Sequence, residues 1–178
     1  KHLDALVYTH DHADQSHGID DVRALALSMR RTIPTYLDAS TAETLASRFA
    51  YCFEGRGGYP PILDRQPDIE PGRPFTISGT GPDVTLLPVK QLHGRIISLG
   101  FRIGDLEGVE TLILDTLRYT PHPSHAHLER ALGWMERIKP GRGYLTNLHI
   151  DLDYETLCAE LPGHIRPAYD GLEVEFQT

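Results

Sequence analysis

The stretch "YTHDHADQSHGIDD", Tyr8 to Asp21, decides how the chain is read. His10, His12 and Asp14 fall at alternate positions just after "LDALVYT", Leu3 to Thr9, a run that alternates and is rich in strand formers. Beyond Gly18, the residues Val22, Leu25, Ala26 and Met29 recur at helical spacing, with Asp20 and Asp21 expected in the first turn, where the helix dipole favours acids. The cluster therefore sits between a strand and a helix, where strand ends present side chains to a shared cleft. Two imidazoles and a carboxylate are ligands suited to Zn, Mn or Fe. Polar loop residues satisfied by solvent are the alternative, and the spacing and context weigh against it.

Working outward, 178 residues are enough for one domain spanning 1–178 with a sizeable core. The formal net charge of −8 argues against a long nucleic acid as partner and leaves room for a local pocket that takes a small anion. No apolar run is long enough to cross a membrane. Cys52 and Cys158 are too few for a disulfide framework and lack metal spacing, which fits a reducing cytoplasm. The chain starts inside a strand-like run, so a preceding segment is expected.

Further along, "IPTYLD" reads as a short strand, and Ser40 with Glu43 as a capping box before the helix "TLASRFAYCF". "EGRGGYPPILDRQPDIEPGRP" is dense in Gly and Pro and reads as a long surface loop. The period then changes to two through "PFTISG", "DVTLLPVKQLHG", "ISLGFRIGD" and "VETLILD", four expected strands. Leu128, Ala131, Leu132, Met135 and Ile138 form an apolar helix face. "RGYLTN" follows as a strand, "DYETLCAEL" as a helix and "GLEVEFQ" as a closing strand. Strands in the middle and α/β stretches at both ends predict two sheets packed face to face with helices outside, a four-layer αββα sandwich.

"LVYTHDHADQSHGIDDVR" resembles the signature of the metallo-β-lactamase superfamily. "QLHGRIISLGFRIGD", "LILDTLRYTPHPSH", "YLTNLHIDLDYETL" and "PAYDGLEVEF" resemble its phosphodiesterase branch, which includes the cyclic phosphodiesterase of phosphonate utilisation. The resemblance runs over nearly the whole chain. It implies a first metal site formed by His10, His12 and His93, and an αββα fold incomplete at its N-terminus. The second site of the family uses Asp14, a His where this chain has Gln15, a His where it has Asn147, and a bridging Asp. The two amides offer neutral oxygens, better suited to Mn or Mg than to Zn. His149, two residues past Asn147, and His17, one helical turn from Asp14, are spare imidazoles. The segment expected to carry the bridging Asp is missing between "GFRIGD" and "VETLILD", leaving Asp105 and Asp115 as the nearby acids.

In "HPSH", the resemblance implies that His125 faces the substrate phosphate, where it can protonate a leaving alkoxide. Ser124 reads as an N-cap for the next helix and Asp153 as a cap for the last one. Asp170 in "YDG" is a turn residue. Arg118 and Tyr119 are placed to contact an anionic substrate. The expected activity is that of a metal-dependent phosphodiesterase on a small nucleotide-like or cyclic phosphodiester, acting through a metal-bound hydroxide, with His125 and Asp14 catalytic and Zn or Mn as the ion. Thioester or lactone hydrolysis on the same fold is the first alternative, and nucleotide or metal binding without turnover the second. A homodimer is left open.

Overall fold

The computed structural model describes residues 2–103 and 109–175. Among these, one compact unit takes in 2–92 and 97–103, and another 93–96 and 109–175.

The first unit opens with β1 (Leu6–Val7), shorter than the run that announces it. Its parallel partners are β2 (Ile33–Tyr36) and β3 (Leu63–Arg65), in the order β1-β2-β3. The register sets Leu6 against Thr35 and Ile33 against Leu63. Between β1 and β2 lie α1 (Ala13–Ser16), a 3-10 turn at His17–Asp20 and α2 (Arg23–Met29). Asp20 therefore precedes α2, and its carboxylate accepts from Arg23 Nε and Nη2 at 2.9 and 2.7 Å. After β2 come α3 (Ala39–Arg48) and α4 (Ala50–Phe53). The apolar faces of these elements close over Ile19, Ile33, Leu37, Leu45, Cys52 and Ile62.

Two expectations are corrected here. The cap of α3 is Asp38, whose Oδ1 accepts from Thr41 N–H at 2.7 Å; the helix starts too early for Ser40 and Glu43 to box its end. The Gly- and Pro-rich segment contains β3, because Ile62 and Leu63 bury almost completely and draw the chain into the sheet.

A second sheet holds β4 (Phe75–Ile77), β5 (Val84–His93) and β6 (Ile96–Ile103) in that order. β4 and β5 are antiparallel, with Phe75 opposite Leu86. Gly94, at φ 61°, makes the tight link from β5 to β6.

In the other unit, β7 (Thr111–Asp115), β8 (Arg142–Thr146) and β9 (Ile165–Pro167) form a parallel sheet in chain order. β7 thus joins β8 instead of extending the run of strands before it. α5 (Leu128–Ile138) lays Ala131 and Met135 against Leu145 and Ile165. Gly143 permits that approach: a Cβ there would lie 2.7 Å from Met135 Sδ. α6 (Tyr154–Glu160) is capped by Asp153, which accepts from Thr156 N–H at 2.8 Å. The closing strand expected at 171–177 is not formed over 171–175, and residues 176–177 lie outside the described ones. Ile165 is buried and takes the place beside β8.

Candidate functional site

β1 delivers the first cluster. Tyr8 N–H donates to Tyr36 O at 3.0 Å, and Thr9 O accepts from Leu99 N–H at 2.9 Å, so the backbone is held on both sides just before His10. His10 is only 6% exposed. Its Nδ1 lies 2.8 Å from Thr9 Oγ1, a contact that orients the ring. The His10 and His12 rings meet edge to face with centroids 4.7 Å apart, and their ligand nitrogens come within 4.8 Å. His12 caps α1 with its backbone: its carbonyl accepts from Gln15 N–H and Ser16 N–H, both at 3.0 Å, while its imidazole makes no capping bond. Burial pushes the phenol of neighbouring Tyr8 up to about 12.

Asp14 and Gln15 lie exposed on α1. Gln15 Nε2 donates to Asp14 Oδ2 at 3.3 Å, which turns the amide oxygen of Gln15 away from that carboxylate. His17 packs its ring against Phe49, centroids 5.9 Å apart, as a structural contact.

In the second unit His93 and His122 gather around His125. His93 ends β5 and meets the His125 ring at 85°, centroids 4.8 Å apart. The His122 ring lies 5.1 Å from that of His125. His122 Nδ1 accepts from the backbone N–H of Ser124 and of His125, both at 3.3 Å. Ser124 therefore closes this turn, and the residue at the N-cap of α5 is His127. Desolvation, followed by the charges of His125 and Arg118, lowers the pKa of His122 below the ordinary histidine value. Arg118 donates to the carbonyls of Thr120 at 3.2 Å and Pro121 at 2.8 Å, so its guanidinium braces this loop. Tyr119 is exposed beside it.

Asp115, at the end of β7, is the acid on which this loop converges. Its Oδ2 lies 3.1 Å from His125 Nδ1, and its Oδ1 accepts from Asn147 Nδ2 at 2.8 Å. Asn147 follows β8 in the left-handed region at φ 59°. That turn breaks the extended geometry on which His149 would share the side of Asn147. His149 Nδ1 instead pairs with Asp151 Oδ1 at 2.8 Å and is exposed. Asp105 lies outside the described residues. The one signal for Asp115 in the sequence is its position as a polar residue ending an apolar strand run.

The fold and these residues define a class. The family model for the beta-lactamase superfamily domain matches residues 1–106. The chain belongs to the metallo-β-lactamase superfamily, on its phosphodiesterase branch, and the fold implies a divalent ion. A crystal structure of a diphosphatase from the PhnP family aligns with a TM-score of 0.79 at 30% identity, over 99% of this chain and 73% of that one. The metallo-β-lactamase fold protein YhfI from Bacillus subtilis aligns with a TM-score of 0.70 at 17% identity, over 96% of this chain and 76% of that one, and shares the fold. Human tRNase Z, short form, does so at 0.60 and 13%, over 98% and 80%. An octanoyltransferase of Porphyromonas gingivalis (strain ATCC BAA-308 / W83) is 31% identical over 96% of this chain. The chain spans only 37% of the length of that curated relative.

Proposed function

We propose that the chain is a metal-dependent phosphodiesterase acting on a small nucleotide-like or cyclic phosphodiester. The observation that carries this reading is the His10–His12 pair. Two imidazoles sit side by side at a pinned strand end, one buried with Nδ1 already engaged, and this donor set suits a divalent ion. As the family resemblance implies, His93 is the third ligand, with Asp14 and the amides of Gln15 and Asn147 toward a second ion. A divalent ion held there supplies a Lewis acid that activates water and offsets charge on the phosphate.

The residues of this chain then divide the remaining work. His125 stands to protonate the leaving oxygen. Arg118 shapes the loop that carries His125, and Tyr119 offers an exposed phenol to the substrate. A phosphate substrate also fits the likeness to a diphosphatase at 30% identity. The acyl-transfer name of the curated relative motivates a second reading, hydrolysis of a thioester, although 63% of that protein lies outside the match.

A panel of chromogenic phosphodiesters and acyl thioesters, assayed with Mn and with Zn, decides between them. Phosphodiester turnover that His12→Ala abolishes along with bound metal is expected. Turnover of thioesters alone, or full metal occupancy in His12→Ala, overturns the proposal.

A further inference from the structure

Asp115 serves three donors. Asn147 Nδ2 approaches Oδ1 at 2.8 Å, Ala126 N–H approaches Oδ2 at 3.3 Å, and His125 Nδ1 lies 3.1 Å from Oδ2 and 3.2 Å from Oδ1. An ionised carboxylate only accepts hydrogen bonds. The Asn147 atom that faces it must be the NH2, so the carbonyl oxygen of that amide is turned away. The His125 nitrogen that faces it must carry a proton, so in the neutral ring Nε2 is the lone pair. The His125 side chain is only 12% exposed and its ring is flanked by those of His93 and His122, which restrains it from turning over.

We propose that Asp115 is a positioning residue: one carboxylate holds His125 as its Nδ1–H tautomer and Asn147 with its carbonyl oxygen outward. It thereby sets the hydrogen-bonding direction of two side chains that the proposed function uses. Nε2 of His125 accepts in the neutral ring and donates only from the imidazolium. Asn147, in place of a second imidazole, faces Asp115 with its NH2. The consequence for turnover rests on the phosphodiesterase reading; the tautomer and the amide orientation do not.

The test is long-range proton–nitrogen NMR on the 15N-labelled, Zn-loaded full chain at about pH 9, where an ordinary histidine is neutral. The expected parent signature is protonated Nδ1 and bare Nε2 in His125, with the Asn147 amide protons shifted by the carboxylate. Asp115→Ala should lose both signatures. Asp115→Asn, of equal size, removes the charge and replaces one acceptor oxygen by an NH2, and should weaken both signatures. A parent His125 protonated on Nε2 overturns the proposal even if neither variant folds, and so does an Asp115→Ala protein that keeps both signatures. On a phosphodiester, Asp115→Asn should lower kcat at least tenfold with KM within twofold; a parent-like kcat removes the role in turnover. A parent without phosphodiester turnover overturns the proposed function, while the NMR result still decides Asp115.

Discussion

At the residue scale, the departures from the family pattern are chemical and specific. Gln15 stands where a histidine is expected, and its amide nitrogen is committed to Asp14, so the atom it has to offer is an oxygen. Asn147 is in the same position with respect to Asp115. Both amides therefore present nitrogen, not oxygen, to the acid partner beside them. Carbonyl oxygens with a carboxylate favour Mn relative to Zn, and imidazole reverses the order. Gln15→His should accordingly raise Zn affinity at the second position and bring bound Zn closer to two per chain. Metal analysis after equilibrium dialysis reads this directly. Unchanged Zn stoichiometry and affinity would mean that Gln15 does not limit the site.

At the scale of elements, most of the strands and helices that carry the site were legible from period alone. Leu3 to Thr9 alternates, and Leu128 to Ile138 repeats apolar residues on one face, so β1 and α5 could be placed without a partner in view. What period cannot show is which strand lies beside which. Asp115 and Asn147 meet because β7 and β8 pair in parallel with Asp115 opposite Thr146, and the turn at Asn147 is left-handed. Neither fact has a local signature, so Asp115 reads only as a nearby acid, and His149 reads as part of an extended segment that the turn at Asn147 interrupts. The same limit appears at α3, where two capping patterns overlap within a few residues. Asp38 wins because its carboxylate reaches Thr41 N–H at 2.7 Å. Removing a cap of this kind costs about 1 kcal/mol. Asp38→Ala should lower the unfolding free energy by roughly that amount, and Ser40→Ala by a few tenths at most. Urea titrations of the two variants would refute the assignment if Ser40→Ala proved the more costly change.

At the scale of the whole molecule, the chain must both bury apolar residues, which it does in two cores, and present histidines at the strand end that leads to His10. Tyr8 ties the two purposes together. It belongs to the first core, is 8% exposed, and lies two residues before His10. Its phenol is pushed by burial from 10.0 to about 12, so the folded state resists losing that proton. The sign follows from proton counting. Below pH 10 both states hold the proton, and Tyr8 adds no pH dependence. As pH rises from about 10 to about 12, the unfolded chain releases the proton while the folded chain keeps it. The unfolded state is then favoured, and stability falls by up to about 1.4 kcal/mol per pH unit. Tyr8→Phe keeps the ring in the core and removes the proton. Denaturant unfolding at pH 9, 10.5 and 11.5, followed by far-ultraviolet circular dichroism, should show the parent losing stability more steeply than Tyr8→Phe above pH 10, and the two running parallel below it. Equal slopes above pH 10 would show that the Tyr8 phenol ionises as readily in the folded chain as in the unfolded one.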